Sequence, residues 1–322
     1  MTERASPAAR PRVSVVVPAY NEAGNVGLVA DRVAQAFASL GCEGELILVD
    51  DGSTDGTWEE AVAAEARHPF VRAVRHRRNL GLTEALETGF RLSRGEVVIL
   101  LPADLESDPQ EDIPKLLAKV DEGYDVVAGW RQGRHDGKVF ASRVYNAVSR
   151  HLFDVQAHDM NWIKAFRREV VDDLLPLRSD WHRFVVMIAA SRGYRVGEVP
   201  VNYYPRQRGR SKYGLLRIPI SFLDVLVLKF LLTFSRKPML FFGSLGLLSV
   251  GTGGVLYLYL LGLWLSLGKQ QRPIFTFAGV LVLAGLLLFL IGFLAELVVS
   301  QQDRLEELER AVRDLAKRRS EE

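Results

Sequence analysis

Glu96-Val97-Val98-Ile99-Leu100-Leu101-Pro102-Ala103-Asp104-Leu105-Glu106 is an apolar run of strand length, stopped by a proline and followed by two acids at alternating positions. A run with no polar position reads as a strand of a parallel sheet covered on both faces. In open α/β sheets the ligand crevice lies beyond the carboxyl ends of such strands, which is where Asp104 and Glu106 fall. Two carboxylates there need a cationic partner, and a hard divalent ion that also holds a phosphate is the common one. A plain strand exit with solvated acids satisfies the same residues.

The flanking segments supply the rest of a sheet. Val13-Ser14-Val15-Val16-Val17, closed by Pro18, reads as a first buried strand, and Glu45 to Asp50 as a second. Val71-Arg72-Ala73-Val74 is a short third, and Asp125-Val126-Val127-Ala128-Gly129 a fifth after the central run. Helices are expected between them, over about 26–40, 57–66, 81–93 and 110–122. Tyr194 to Val201 reads as an edge strand, after a helical region over about 181–192. Strands alternating with helices of this length give a doubly wound, mostly parallel α/β sheet with right-handed crossovers.

Composition changes sharply after about residue 235. The chain has 322 residues, 48% hydrophobic and 25% charged, with a net charge of +2. Those averages hide two charge-poor stretches: Met239–Leu267 has no charged residue, and Ile274–Val299 has only Glu296. Each exceeds the roughly 20 residues a bilayer core demands. Basic residues cluster on one side of this pair, from Arg206 to Lys237 and again at Lys317, Arg318 and Arg319, and the connecting loop has only Lys269 and Arg272. The positive-inside bias then places the large domain in the cytoplasm of a multi-pass protein of the cell membrane. Met1 to Pro11 has no apolar core, so it reads as a loose tail and not a secretory signal. The expected division is a tail (1–11), a cytoplasmic α/β domain (12–213), interfacial amphipathic helices (214–237), a two-helix transmembrane hairpin (238–300) and a charged C-terminal helix (301–322) that suits a partner and leaves a homo-oligomer open. A single cysteine, Cys42, excludes a disulfide framework and a thiolate zinc site. The short basic run next to the membrane argues against nucleic-acid binding.

Four motifs in order, Val15-Val16-Val17-Pro18-Ala19-Tyr20-Asn21-Glu22, Val49-Asp50-Asp51-Gly52-Ser53-Thr54-Asp55-Gly56-Thr57, Asn79-Leu80-Gly81 and Pro102-Ala103-Asp104-Leu105-Glu106, resemble family 2 glycosyltransferases of the inverting, GT-A type. The nearest branch is similar to polyprenyl-phosphate glycosyltransferases, such as dolichyl-phosphate mannose synthases and bacterial undecaprenyl-phosphate sugar transferases. The resemblance implies transfer of a sugar from a UDP- or GDP-linked donor to a polyprenyl phosphate, with Mg²⁺ or Mn²⁺. It implies that Pro18, Tyr20, Glu22, Asp50, Asp51, Ala103 and Asp104 hold the nucleotide sugar, and that Asp104 and Glu106 hold the metal. Here the chain departs from the usual Asp-Ala-Asp-Leu-Gln, with Pro102 at the first acid and Glu106 at the glutamine.

A polyprenyl phosphate has its second pKa at about 6, so it is largely dianionic at neutral pH and already nucleophilic. Its site needs cations to place the phosphate opposite the leaving group, a task suited to the arginine fork. Arg131 and Arg134, just after the fifth strand, and Arg206, Arg210, Ser211 and Lys212, just before the membrane, are the candidates. The Arg206 to Lys212 run also suits simple attraction to anionic lipid. Asp104, Asp159 and Arg131 are the candidate catalytic residues, with Asp159 at the position proposed for a base in relatives. Trp130, Trp162 and Trp181 suit a sugar pocket or core packing. A hydroxyl acceptor such as diacylglycerol would require a true base, and a non-catalytic scaffold that only binds nucleotide sugar is the other alternative. Pro18-Ala19-Tyr20 stands where a nicotinamide-binding glycine loop would be, which excludes that class.

Overall fold

The computed structural model describes residues 10–133, 155, 157–177, 181–205, 227, 229–230, 237–269 and 271–321. They fall in two compact units, Met1–Val225 and Leu226–Glu322.

The first unit is built on β1 (Val13–Ala19), β2 (Gly44–Asp50), β3 (Val71–Arg75), β4 (Val97–Leu100), β5 (Val126–Gln132), β6 (Lys164–Arg167) and β7 (Val196–Asn202). They form one sheet in the order β3-β2-β1-β4-β6-β5-β7. Val13, Val15, Val16, Val17, Leu46, Ile47 and Ile99 are buried whichever face they point to, as expected of strands covered on both sides. Each such side chain contributes about 1.5–3 kcal/mol on leaving water. The covers are α1 (Val26–Leu40), α2 (Thr57–Arg67), α3 (Leu82–Leu92), α4 (Pro109–Asp121), α5 (Arg168–Leu174) and α6 (Val185–Ser191). In α1 the buried positions Val26, Val29, Ala30, Val33, Ala36 and Phe37 follow helical spacing, and Gly41 ends the helix in the left-handed region at φ 56°.

Two features differ from the expected pattern. The fifth strand continues to Gln132, so Arg131 lies within it. Between β4 and β5 runs β6, antiparallel to both, with Leu100 and Ala128 each opposite Lys164. A parallel strand offers the carboxyl edge the loop that follows it. A reversed strand offers the segment that precedes it. Residues 159–163 therefore arrive at the same edge as Asp104.

The second unit is a hairpin of α7 (Pro238–Leu267) and α8 (Arg272–Glu321). Its two apolar spans, Pro238–Leu267 and Arg272–Gln301, are 30 residues each and long enough to cross a membrane. Only 17% and 11% of their most apolar windows is buried, whereas the core helix of a soluble protein is mostly buried. The helices touch through glycine: a Cβ at Gly246 would lie 2.6 Å from the Gly285 carbonyl oxygen, and one at Gly285 would lie 2.6 Å from that of Gly246. Small residues allow such backbone contact where lipid supplies no hydrophobic drive. The Ser249 hydroxyl donates to the Leu281 carbonyl at 2.8 Å. Glu296 Oε2 accepts from the Met239 N–H at 3.1 Å, satisfying one of the orphan donors at the start of α7 from the neighbouring helix. The charged C-terminal segment is not a separate helix but the continuation of α8. Of the expected interfacial helices, 214–226 lie outside the described residues.

Candidate functional site

β1, β2 and β4 end together: Ala19 is in register with Asp50, Val16 with Leu100, and the next residues continue the ladder through Asp51 N–H to Ala19 O at 2.8 Å and Leu101 N–H to Val16 O at 3.1 Å. The rim at their carboxyl ends carries most of the described candidates.

The loops after β1 and β2 are tied to each other. Ser53 Oγ accepts from the Asn21 N–H at 2.9 Å, Thr57 Oγ1 from the Glu22 N–H at 2.8 Å, and Asn21 Oδ1 from the Thr54 N–H at 2.9 Å. Asp55 Oδ2 accepts from the Ala23 N–H at 3.2 Å and Glu60 Oε1 from the Gly24 N–H at 2.6 Å. The polar side chains after Asp51 are thus spent on holding Pro18 to Glu22 in place. Pro18, Tyr20 and Glu22 are half-buried there. Glu22 Oε2 also accepts from Asn25 Nδ2 at 2.9 Å.

The adjacent acids divide in role. Asp51 Oδ1 accepts from the Leu80 N–H and Oδ2 from the Gly81 N–H, both at 2.9 Å, while His76 Nδ1 lies 2.8 Å from Oδ1. Asp51 therefore builds the Asn79-Leu80-Gly81 turn. Asp50, 1% exposed, accepts from the Ser53 N–H through Oδ1 at 3.0 Å, and its Oδ2 lies 3.0 Å from Arg75 Nε without hydrogen-bond alignment. Gly52 between Asp51 and Ser53 sits at φ +68°, and a Cβ there would come within 2.4 Å of the Arg78 backbone. Only glycine fits.

Ala103 and Asp104 are buried beyond β4, and Glu106 is half-buried. Leu105 between the acids is held at φ 58°, a left-handed conformation that costs a leucine of order 1–3 kcal/mol. It turns the chain so that Asp104 Oδ1 accepts from the Glu106 N–H at 3.2 Å, while the Glu106 carbonyl accepts from the Tyr204 N–H at 3.0 Å. No group of three His, Cys, Asp or Glu placed to hold a metal ion occurs among the described residues. One or two hard carboxylates beside an incoming diphosphate are the donor set that Mg²⁺ takes, and Asp104 and Glu106 fit it.

A second cluster lies at the same edge of the sheet. Arg131 Nε and Nη2 donate to Asp159 Oδ2 and Oδ1 at 2.5 and 3.1 Å, and the guanidinium lies 4.6 Å over the Trp162 ring. Lys164, 3% exposed, donates from Nζ to the Trp162 carbonyl at 2.8 Å. Burial pushes its ammonium down to about 8, with Asp159 opposing and Arg131 reinforcing that shift. Two cations and one carboxylate leave a formal surplus of one positive charge, suited to an anion. The Trp162 indole N–H is buried with no hydrogen-bond partner among the described residues. Trp130, 37% exposed, stacks on His158 at 4.2 Å, and His158 Nδ1 is 2.6 Å from Glu198 Oε1. The candidates Arg134, Arg206, Arg210, Ser211 and Lys212 lie outside the described residues.

The sequence reading missed Lys164 because β6 was not visible as a strand. It also missed Asp112, in the first turn of α4 and 1% exposed. Both Asp112 carboxyl oxygens, and the buried Ser107 hydroxyl at the other end of that turn, are without hydrogen-bond partners among the described residues. Burial first, then the charges of Glu111 and Asp108, raise the Asp112 carboxyl to about 7, against a lowering influence from Lys115 and a backbone hydrogen bond.

Residues 14–188 match the family described as glycosyl transferase family 2. The dodecaprenyl-phosphate galacturonate synthase of Rhizobium johnstonii is 34% identical over 300 residues, covering 89% of this chain and 87% of that one. The undecaprenyl-phosphate 4-deoxy-4-formamido-L-arabinose transferase of Klebsiella pneumoniae is 35% identical over 286 residues, covering 87% and 84%. Among solved structures, glucosyl-3-phosphoglycerate synthase from Mycobacterium tuberculosis superposes with a TM-score of 0.55 at 22% identity, over 69% of this chain and 80% of that one. That likeness is one of fold. One crystal structure of that protein holds Mn²⁺, UDP-glucose and phosphoglyceric acid.

Proposed function

The chain belongs to glycosyl transferase family 2, and from that premise we propose that it moves a sugar from a UDP- or GDP-linked donor onto a polyprenyl phosphate at the cytoplasmic face of a membrane. The observation that carries the reading is the likeness, at 34–35% identity over nearly the whole chain, to two transferases named for polyprenyl-phosphate products. The shared length extends beyond the α/β unit, so it takes in part of the hairpin as well as the rim. A hydroxyl acceptor has no such support and is not carried forward, nor is a non-catalytic scaffold.

The donor sits over the ends of β1, β2 and β4. Pro18, Tyr20, Glu22 and Asp50 contact the nucleoside, and Asp51 keeps the neighbouring turn in shape. Asp104 and Glu106 would hold Mg²⁺ or Mn²⁺, which would supply charge neutralisation for the departing diphosphate. On the opposite side, Arg131 exchanges Asp159 for the acceptor phosphate, and Lys164 remains as the buried counter-charge of Asp159. By the resemblance, Arg134, Arg206, Arg210 and Lys212 would add positive charge, and Ser211 a hydroxyl, to the binding of the acceptor phosphate. A phosphate oxygen attacks the anomeric carbon while the bond from that carbon to the diphosphate oxygen breaks. The electron pair leaves with the nucleoside diphosphate, and the configuration inverts. The dianionic acceptor needs no proton removed, so Asp159 acts by holding Arg131 in position until the phosphate arrives. The two apolar spans anchor the chain in a membrane, and the bias of basic residues in the sequence puts the large domain on the cytoplasmic side.

The test is transfer of radiolabelled sugar from a panel of nucleotide sugars to polyprenyl phosphate in membranes, with and without chelator. Transfer is expected with one donor class, and Asp104→Ala should abolish it while leaving thermal unfolding unchanged. Near-normal transfer by Asp104→Ala would refute the assignment of the acidic rim.

A further inference from the structure

At about 1.5 Å per residue, the 50 residues of α8 span roughly 75 Å, well beyond the approximately 40–45 Å of a whole bilayer. The turns beyond Asp303 and Arg304 therefore stand in water. One stripe nevertheless continues along the helix at alternating spacings of three and four residues: Leu294, Val298, Gln301, Leu305, Leu308 and Val312. Inside the span, lipid covers it. Outside, Leu305, Leu308 and Val312 are 60%, 63% and 63% exposed, and the sequence carries the spacing on to Leu315. A water-facing helix does not ordinarily leave such a seam uncovered.

We propose that residues 298–315 pair with the same segment of a second copy of this chain as a parallel, in-register coiled coil. Three observations choose that occupant. The apolar positions form the narrow two-in-seven seam that fits another helix of the same repeat, not the broader face that a globular core or a membrane surface takes. Copies inserted in one membrane share an orientation and a depth, so their helices leave the bilayer parallel and level with each other. With Leu305 and Val312 at the first heptad position, Arg304 falls at g and Glu309 at e, five residues on. Parallel strands bring those two positions together. Folding the segment back along the membrane surface would require a kink, and no proline or glycine lies between Phe293 and Glu321. A seam of this length is marginal for free peptides, but anchoring both strands in one bilayer raises their effective concentration.

Disulfide mapping of the full-length chain in membrane vesicles tests the pairing without requiring transfer activity. In a Cys42→Ser background, Leu305→Cys, Leu308→Cys and Val312→Cys should each yield covalent dimer on oxidation at least ~5-fold above Glu306→Cys and Arg310→Cys, whose heptad positions, b and f, are outside the seam. Arg304→Glu should lower the Leu305→Cys yield, and adding Glu309→Arg should restore it. Equal yields at all five positions, absence of dimer, or failure of the charge swap to restore would each overturn the proposal.

Discussion

Asp112→Asn isolates the effect of one buried carboxyl on the stability of the α/β unit. The native Asp112 is raised from 3.8 to about 7, with burial as the largest cause. Below about pH 4 the carboxyl is neutral folded and unfolded, and it contributes no pH dependence. Between about 4 and 7 the unfolded chain releases the proton that the folded state keeps. Stability then falls as pH rises, by up to about 1.4 kcal/mol per unit. Above about 7 both states are ionised and the loss levels off. Integrated from pH 5 to pH 8, the shift is worth about 2–3 kcal/mol, and structural relaxation around the charge should leave roughly 1–3 kcal/mol of it. At about 2–4 °C per kcal/mol for a domain of this size, the midpoint of thermal unfolding of the wild type should fall by roughly 2–12 °C relative to Asp112→Asn over that interval. The assay is unfolding of the detergent-solubilised chain at several pH values, wild type and variant side by side. The offset between the two proteins is immaterial, because a buried asparagine amide carries its own constant cost. A difference that stayed flat from pH 5 to pH 8 would refute the reasoning.

Gly52→Ala should lower stability by about 2–3 kcal/mol, from its φ of +68° and the 2.4 Å approach of a Cβ to the Arg78 backbone, and should raise the donor KM, because the turn it distorts sets Asp50; unchanged unfolding and KM would contradict the close approach. Lys164→Met keeps side-chain volume and removes the buried charge. Since that charge is present below about 8 and lost above it, wild-type kcat/KM for polyprenyl phosphate should decline as pH rises through about 8. In the variant it should be about tenfold lower at pH 7 and lack that decline, with donor KM little changed; an unaltered alkaline limb would remove Lys164 from the acceptor side.

How much of this was legible in the sequence depended on what each segment shows locally. β1, β2 and β4 are buried on both faces, so they appear as unbroken apolar runs, and the acids after β4 stood out against them. Lys164-Ala165-Phe166-Arg167 shows nothing of the kind. It is four residues long with a cation at each end, and the groups that meet its buried lysine, the Trp162 carbonyl and the charge of Asp159, are brought to it only by tertiary structure. The pair Asp50-Asp51 was visible, but its division was not, since only the fold brings the Leu80 and Gly81 N–H groups to the second carboxylate. The change of composition near residue 300 suggested a separate helix. The backbone runs on because no helix breaker intervenes, and it is indifferent to where lipid gives way to water.

The reversed strand at the middle of the sheet has a consequence for the order of assembly. Everything on the proposed donor side of the rim is encoded before residue 107, from contiguous strand and helix units that can dock as they are synthesised. The acceptor side needs β5 to wait for a partner encoded more than thirty residues later, threaded between it and β4. A chain stalled or truncated near residue 150 would hold a nucleotide half-site with an unzipped central edge, prone to pairing with the wrong strand. Completion of the site and closure of the sheet are thus a single late event in the life of the polypeptide.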